Sequence, residues 1–355
     1  MIGISGKRQR RVLAAAAIAV LALSACGAEP ATTTGGSTVG PSASNVDYFN
    51  LPTSTGASCS MRGKKMIFVS VLRENPVLQI MAQGAIDGAK KAGFASEQWV
   101  ASQGFDEPGT VTLATQSMAQ GVDGIVVLAS SPTFYPMIAR AKAMGIPVIQ
   151  THSPIAKGEA PGLLGQFYPD PTSYGKAAAE AIGARLKKAG KTGSIAIMQT
   201  SFIPNENAAA KAFTETMKAE YPQQHVLAPV AEGGDSSKAI ATETSLVQAH
   251  QDLVAAFDTS GNGPVNWATT QKDTGRQLVV ISMDYAKANL ELVKSGSIFG
   301  IVAQPLYQEH YLAAFALAKA ICRDPIAYDN PLSAPIVEQT RLAPYYELLS
   351  KVNIH

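Results

Sequence analysis

The stretch that decides the fold is residues 66–101, which read MIFVSVLRENPVLQIMAQGAIDGAKKAGFASEQWVA. It opens with an almost wholly apolar run, as expected of a strand that is buried on both faces. From Pro76 to Ala92 the apolar residues recur at helical spacing, and Gly93 ends the pattern. A second strand-like run follows. Strand, amphipathic helix and strand in this order predict a βαβ unit in a parallel sheet.

The same alternation of apolar runs and amphipathic helices continues along most of the chain. The repeated βα steps are too many for one small open sheet, so we predict an α/β fold with two doubly wound, Rossmann-like lobes. A (β/α)₈ barrel is the alternative that the periodicity leaves open. The further predicted strands lie at 124–128, 146–149, 194–199, 225–230, 253–257, 277–282 and 298–302.

The N-terminus, residues 1–25, has the features of a secretory signal: a basic start, a short apolar stretch and small residues before a cut site. The apolar stretch is too short to span a bilayer core of about 30 Å. The closing Leu23-Ser24-Ala25-Cys26 resembles the bacterial lipobox, which implies acylation of Cys26. The alternatives are an ordinary signal with a chance cysteine, or a twin-arginine signal at Arg10-Arg11, whose flanking residues match poorly.

Residues 26–60 are rich in Ser, Thr, Gly, Ala and Pro and carry hardly any charge, which predicts a flexible tether. We therefore expect an exported domain, held by lipid at the outer face of the bacterial cytoplasmic membrane. With 46% hydrophobic residues the chain can bury a large core. A net charge of only +2 argues against a nucleic-acid partner.

Polar residues follow the carboxyl ends of the predicted strands, where open parallel sheets bind their ligands. Amides, hydroxyls and a few carboxylates make up this set, which suits a ligand with many hydroxyl groups. The positions are Arg73–Asn75, Gln103–Asp106, Ser130-Ser131, Thr151–Ser153, Ser201–Asn207, Gly233–Asp235, Asp258–Asn262, Asp284 and Gln304.

Residues 64–326 resemble the type 1 periplasmic binding proteins related to ribose-binding protein, the solute receptors of bacterial sugar ABC importers. The stretches that carry the resemblance keep the family's order and spacing. They are Asn75-Pro76, Gln120–Ile125, Ala143–Val148, Ser282–Asp284 with Val293–Gly296, and Ile301–Pro305.

The resemblance implies two hinged lobes that close on one solute and deliver it to an ABC permease, and we expect a monomer. It implies three crossing segments, near Gly165-Gln166, near Ala303-Gln304 and just before a last strand around Ala334–Glu338. The predicted lobes are 61–165 plus 304–330 for the N-terminal lobe and 166–303 plus 331–355 for the C-terminal lobe.

The resemblance also implies ligand contacts at matched positions. The matched residues are Asn75, Ser130, Asn207, Asp284 and Gln304, and further candidates at departing positions are His152, Asn205, Thr259 and Asn262. Val77 and Leu78 stand where ribose-binding relatives carry two stacking phenylalanines. We therefore expect a modified pocket, in which a polyol or a small sugar is as plausible as a hexose.

Four of these residues have a structural alternative. Asp284 precedes a helix predicted at 285–295 and Asn75 precedes Pro76, so each could be a helix N-cap. Gln304 could satisfy backbone groups of the hinge, and His152 could be a surface histidine.

Cys59 and Cys322 remain once Cys26 carries lipid. Cys59 precedes the first strand, and Cys322 ends the last helix of the same predicted lobe. Two cysteines that remain in an oxidising compartment are expected to form a disulfide. We predict a Cys59–Cys322 disulfide, with two free thiols as the alternative.

The sequence contains no nucleophile elbow, no phosphate-binding loop and no zinc-ligand spacing of histidines, so we predict no enzyme, no metal and no cofactor. A DNA-binding repressor of this fold would carry a helix-turn-helix where this chain has its signal and tether. The alternative function is a receptor that reports a small molecule to a membrane signalling protein.

Overall fold

The computed structural model describes residues 50–201 and 204–351. The predicted signal, Cys26 and most of the predicted tether therefore lie outside the described residues. Within the described ranges, no helix combines the length and the apolar character needed to cross a bilayer.

Strands and helices alternate along the described part of the chain. The strands are β1 (Lys65–Ser70), β2 (Ser96–Ala101), β3 (Gly124–Val127), β4 (Val148–Thr151), β5 (Leu163–Pro169), β6 (Ser194–Gln199), β7 (His225–Val226), β8 (Val230–Ala231), β9 (Leu253–Asp258), β10 (Val279–Met283), β11 (Gly300–Val302), β12 (Asp329–Leu332) and β13 (Ile336–Glu338). The helices are α1 (Pro76–Ala92), α2 (Glu107–Ala119), α3 (Tyr135–Ala143), α4 (Pro171–Lys188), α5 (Pro204–Glu220), α6 (Ser236–Ala249), α7 (Gly263–Thr274), α8 (Lys287–Ser295), α9 (Leu306–Ile321) and α10 (Ala343–Lys351).

The strands form two separate sheets. In the N-terminal lobe the order is β12-β5-β4-β3-β1-β2, and every pair is parallel. In the C-terminal lobe the order is β13-β11-β10-β9-β6-β7, with β8 also paired to β6. Only the β11–β13 pair of the described strands is antiparallel. The prediction of two doubly wound lobes is confirmed, and the barrel alternative is wrong because neither sheet closes on itself.

Three segments cross between the lobes: β5 to α4, β11 to α9, and β12 to β13. The first crossing follows Pro169 instead of Gly165-Gln166, because β5 stays paired in the N-terminal sheet to its end. Gln166 lies inside that lobe, where its side chain bonds to the backbone of Ile155. The third crossing follows Leu332, two residues beyond the predicted boundary at 330.

Helices α1 and α9 pack against each other on the N-terminal sheet with almost no space between their backbones. A Cβ atom at Gly84 would collide with the carbonyl oxygen of Tyr307. In the other lobe α4 meets α5 in the same way, because a Cβ atom at Gly175 would collide with the carbonyl oxygen of Ala209. The α1–α9 contact matters for the cleft, since it holds α9 where its first turn reaches the end of β4.

Cys59 and Cys322 form a disulfide that joins the segment before β1 to the end of α9, with sulfur atoms 2.03 Å apart. The bond encloses nearly the whole described chain, since its two cysteines are 263 positions apart.

Two predicted elements differ from the structure. The predicted strand 225–230 is two short strands, β7 and β8. The helix predicted at 285–295 begins only at Lys287, because Asp284 takes a φ of 69°, in the left-handed region. Ala286 occupies the N-cap of α8, so the reading of Asp284 as a helix cap is wrong.

Candidate functional site

Three candidate residues of the N-terminal lobe follow neighbouring strands. Asn75 follows β1, Ser130 follows β3 and His152 follows β4, and these strands lie side by side in the sheet. Parallel strands bring the residues after their carboxyl ends to one edge, so the three positions share the face of the cleft.

Asn75 is the N-cap of α1. Its Oδ1 accepts hydrogen bonds from the backbone N–H groups of Val77, at 2.9 Å, and Leu78, at 3.3 Å. Capping therefore occupies Oδ1, while the side-chain nitrogen takes no part in the cap.

Ser130 forms a polar pair with α2. Its hydroxyl donates to Glu107 Oε1 at 2.6 Å, and the hydroxyl of Ser131 donates to Glu107 Oε2 at 2.6 Å. Both oxygens of this carboxylate thus have a donor from their own lobe. Ser130 itself stays exposed at the cleft edge.

His152 is held by Glu309, a buried residue in the first turn of α9. The two side chains meet through His152 Nδ1 and Glu309 Oε1, which are 2.9 Å apart. While Glu309 is ionised, Nδ1–H is the donor, and this leaves Nε2 as the ring atom available to another group. His152 takes a φ of 70°, a conformation in which a side chain other than glycine is under strain.

Asp284 of the C-terminal lobe faces this pair. It is 5% exposed, and its charge interacts with both His152 and Glu309. Neither Asp284 Oδ1 nor Glu309 Oε2 has a hydrogen-bond partner among the described residues. The cleft therefore brings together a histidine and two carboxylates, with one unpaired acceptor oxygen on each lobe.

The titration of this group follows from burial and from the charges within it. Burial raises the pKa of Asp284 to about 6, against the opposing effect of His152. Burial raises the pKa of Glu309 to about 7, and His152 again opposes the rise. Burial lowers the pKa of His152, but the charge of Glu309 and the hydrogen bond to it raise it more, so the net direction is upward.

His310, the neighbour of Glu309, is neutral and structural. Its Nδ1 lies 2.7 Å from the carbonyl oxygen of Leu306, to which it donates. Its ring packs edge-on against Phe68, with centroids 4.9 Å apart. Burial lowers the pKa of His310 to about 3.

The remaining candidates near Asp284 occupy different surroundings. Thr259 is buried, and its hydroxyl lies 3.4 Å from the carbonyl oxygen of Met198. Asn262 is exposed at the N-cap of α7 and makes no side-chain cap bond. Gln304 is buried in the second crossing segment, where its N–H donates to the carbonyl oxygen of Val302 at 3.1 Å.

Asn205 and Asn207 begin α5, and the structure does not bring Asn207 into the His152–Asp284 group. Asn207 Oδ1 accepts from Gln199 Nε2 at 3.2 Å, and both residues line a separate cavity of about 380 Å³. Between the two asparagines, Glu206 is the buried side chain, and its Oε2 accepts from the N–H of Ser201 at 3.0 Å. Burial raises the pKa of Glu206.

Residues 66–324 match the family model described as a periplasmic binding protein domain. The match begins in β1 and ends just after α9, so it covers most of the 355 residues and parts of both lobes. The chain belongs to this family.

One curated protein that this periplasmic binding protein resembles is a xylitol-binding protein from Mycolicibacterium smegmatis. The two are 27% identical over 191 residues, which are 52% of this chain and 52% of that protein. The chain thus aligns with about half the length of this curated relative.

Several solved structures share the two-lobe fold. An arabinose-binding protein from Geobacillus stearothermophilus superposes with a TM-score of 0.72 at 21% identity, over 80% of this chain and 99% of that one. The sugar-binding protein of a sugar ABC transporter from Bacillus halodurans superposes with a TM-score of 0.72 at 20% identity, over 80% of this chain and 100% of that one. A solute-binding protein from Actinobacillus succinogenes with bound D-allose superposes with a TM-score of 0.70 at 21% identity, over 79% of this chain and 100% of that one. At these identities the likeness shows the fold, and these relatives are binding proteins rather than enzymes.

Glu309 was not predicted from the sequence, and Glu206 was included only as part of the polar segment Ser201–Asn207, not as a candidate of its own. A signal existed for Glu309, because it is an acid, followed by a histidine, in the otherwise mostly apolar helix α9. Glu206 carried no comparable signal, since the first turn of a helix is an ordinary place for an exposed acid.

Proposed function

We propose that this periplasmic binding protein holds a small carbohydrate or polyol in the cleft between its lobes. The observation that carries the proposal is the pair of buried, unpaired acceptors Asp284 Oδ1 and Glu309 Oε2, described above on opposite lobes around His152. Buried acceptors without donors are unfavourable, and ligand hydroxyl groups would supply the donors.

The surroundings of the cleft favour a neutral ligand over an anion. Arg73, the cation that follows β1, is engaged within its own lobe: its guanidinium lies 4.8 Å from the ring centroid of Trp99 and donates to the Trp99 carbonyl oxygen at 2.6 Å. Val77 and Leu78 are half-buried and offer no aromatic face for a sugar ring. These features, with the xylitol-binding relative, favour a polyol within the broader carbohydrate class.

Three crossing segments support hinge closure around the ligand, as in other two-lobed receptors. In this proposal the closed, monomeric form delivers its ligand to the permease of an ABC importer. The protein is exported and anchored through Cys26 to the outer face of the cytoplasmic membrane. Several acyl chains on one residue give stable anchoring, because each buried CH₂ contributes about 0.8 kcal/mol.

The ligand class is tested by thermal melting and calorimetry with xylitol, other polyols, pentoses and hexoses. A ligand present at 100 times its dissociation constant adds about 2.7 kcal/mol of stability. We expect a clear rise in melting temperature with at least one of these compounds. If none of them raises the melting temperature or gives a binding isotherm, the proposed ligand class is wrong.

The placement of the ligand is tested by Asp284→Asn, with Asp273→Asn as its matched control. Asparagine tolerates the left-handed backbone of position 284 and keeps the side-chain shape, so the fold should persist. We expect at least a tenfold loss of affinity for Asp284→Asn and none for the exposed Asp273→Asn. Equal affinity in both variants would remove Asp284 from the site.

The anchor and the permease need tests in cells. Cys26→Ala should abolish incorporation of radiolabelled palmitate and release the protein from the membrane fraction. Deletion of the gene should abolish uptake of the ligand found in the panel. Labelling that survives in Cys26→Ala would contradict lipid attachment at this residue.

A further inference from the structure

Three carboxylates converge inside the C-terminal lobe, outside the His152–Asp284 group. Glu232 follows β8, Glu243 lies on α6, and Asp258 ends β9. One oxygen of each lies within 4.8 Å of the oxygens of the other two. All three are buried, with exposed fractions of 5%, 0% and 0% respectively.

Hydrogen bonds from the protein satisfy only part of this cluster. Asp258 Oδ1 accepts from the N–H of Ser260 at 2.7 Å, and Glu243 Oε2 accepts from the hydroxyl of Thr270 at 2.6 Å. Within 50–201 and 204–351, no partner exists for Asp258 Oδ2, Glu243 Oε1 or either oxygen of Glu232. Ser260 lies beside Glu232, yet its hydroxyl makes no well-formed hydrogen bond to it.

The amide of Asn266 is a second, independent feature of this place. Gly263, Asn266 and Thr270 follow one another at spacings of three and four, so they share one face of α7. Gly263 packs against Asp258 Oδ2, and Thr270 bonds to Glu243, so Asn266 lies on the same helix face between the two residues that contact these acids. Asn266 is 1% exposed, and its Oδ1 likewise finds no hydrogen-bond partner in the described part of the chain.

Four oxygens of the three acids and the amide oxygen of Asn266 on the adjoining helix face are thus buried with no donor and no ion pair among the described residues. Protons could neutralise the carboxylates, and burial indeed raises the pKa of Glu232 to about 7 and that of Glu243 to about 8. One proton on each of the three acids, however, provides at most three hydrogen-bond donors, which is fewer than the number of unpaired oxygens. A single divalent cation accepts six to eight oxygen ligands and would engage all five at once.

The donor set selects the cation. Carboxylate and amide oxygens, with no histidine or cysteine in the cluster, are the ligands of Ca²⁺ and Mg²⁺ rather than of transition metals. A set of protein oxygens that includes a neutral amide favours Ca²⁺, because Mg²⁺ usually keeps several waters and binds through one or two carboxylates.

We propose that Glu232, Glu243, Asp258 and Asn266 form a Ca²⁺ site inside the C-terminal lobe. The ion ties β8, α6, β9 and α7 together. It also holds the loop that follows Asp258, and this loop reaches the cleft: Asn289 Nδ2 donates to the carbonyl oxygen of Gly261 at 3.1 Å and to that of Asp284 at 3.2 Å. The site needs no ligand in the cleft and stands apart from the proposed solute binding.

The test is a calcium titration of the full protein after EDTA treatment, followed by calorimetry and thermal melting at neutral pH. We expect one Ca²⁺ per chain, a saturable rise in melting temperature, and at least tenfold weaker binding of Mg²⁺. No heat and no rise at about 10 mM Ca²⁺, well above weak extracellular sites, would overturn the proposal and leave protons as the balancing charge. Equal binding of Mg²⁺ would overturn the preference for Ca²⁺.

Two variants locate the ion. Glu243→Gln should weaken Ca²⁺ binding at least tenfold, and Asn266→Leu, which removes the amide without changing charge, at least fivefold. The control is Glu215→Gln on α5, whose side chain is 66% exposed, and it should bind as the wild type does. Should Glu243→Gln fail to fold, Asn266→Leu decides alone. Unchanged affinity in a folded variant would mean that Ca²⁺ binds elsewhere.

Discussion

The two lobes have the same layered architecture but differ in how the acids near the cleft are paired. In the N-terminal lobe the half-buried Glu107 receives a hydroxyl donor on each oxygen, and Asn75 is engaged as a helix cap. In the C-terminal lobe Asp284 and the Glu232–Glu243–Asp258 cluster keep oxygens without any donor in the described chain. Glu309 is intermediate, since one oxygen bonds to His152 and the other has no described partner.

This contrast indicates where outside groups are needed. An ionised carboxylate that is buried without a partner is costly, so a fold retains one where a ligand, a cation or a proton completes it. Apart from Glu309 Oε2, the polar groups described above on the N-terminal face have partners in their own lobe, whereas the C-terminal lobe keeps several buried oxygens for which the described chain supplies no donor. The following predictions test that difference.

The largest expected effect concerns the disulfide, which belongs to the N-terminal lobe alone. The double variant Cys59→Ala, Cys322→Ala should lose about 4 kcal/mol of unfolding free energy, because the bond constrains a very long loop in the unfolded chain. Trp99 lies in β2 and Trp267 in α7, so each lobe has its own fluorescent reporter. Urea unfolding of single-tryptophan variants should show the loss through Trp99. An equal loss through Trp267 would mean that the lobes unfold as one unit.

The close helix contacts, α1 with α9 and α4 with α5, should give the two lobes the same sensitivity to an added methyl group. Gly84→Ala and Gly175→Ala should each lose about 2 kcal/mol, because the added Cβ meets the backbone of the facing helix. Gly104→Ala and Gly234→Ala are matched controls, one per lobe, since a Cβ at either position meets nothing within 4 Å. Chemical denaturation should leave the controls near the wild type. A neutral Gly84→Ala would show that α9 can shift away from α1.

Ligand affinity should fall in acid because of Asp284. Its pKa is raised to about 6, and only the ionised form accepts two hydroxyl hydrogen bonds, so affinity is full above that pH and falls below it. Between pH 6.5 and pH 5 the dissociation constant should rise about eightfold for one proton of this pKa. Calorimetry across this range measures it.

His152→Asn provides the control for that titration. Since the charge of His152 lowers the pKa of Asp284, its loss should move the midpoint of the affinity profile to higher pH. Tyr174 and Glu309 also interact with Asp284, and both remain in this variant. An unchanged midpoint would show that the charge of His152 does not influence the titration of Asp284.

The smallest expected effect is on the pH dependence of the free energy of unfolding. The pKa of Glu309 is raised from 4.5 to about 7 in the folded protein, so its stabilising contribution is complete below pH 4.5 and is lost as the pH rises through 7. Between pH 6 and pH 7 this amounts to about 1 kcal/mol. Buried neutral His310 contributes with the opposite sign over this range, so the comparison is the difference between wild type and Glu309→Gln. The control variant Glu215→Gln should give a profile of unfolding free energy against pH that runs parallel to that of the wild type. A parallel profile for Glu309→Gln as well would show that Glu309 does not titrate in this range.

Much of the fold was predictable because its pattern is local. The apolar run of β1, the helical spacing of α1 and the closing Gly93 all lie within 30 residues, and α1 begins and ends where they indicate. The crossings were less predictable. The end of β5 depends on its pairing with β12, more than 150 positions away, which a local pattern does not contain.

The candidate site was predictable only in outline. Asp284 was predicted as a site residue because it follows a strand. Its left-handed backbone conformation was not predicted, so α8 was predicted to begin too early. Asn207 follows the same rule of position, yet its side chain turns to Gln199. Side-chain direction depends on neighbours from other elements, and the order of residues along the chain does not specify these.

The sequence by itself determined the two α/β lobes and the edge of each sheet where polar residues gather, because strand and helix periods are written in consecutive residues. Only the tertiary structure decided that Glu309 reaches His152 and that Glu232, Glu243 and Asp258 meet in one place. The physical reason is that the charge state and pairing of a buried acid depend on distant residues that folding brings within a few ångströms.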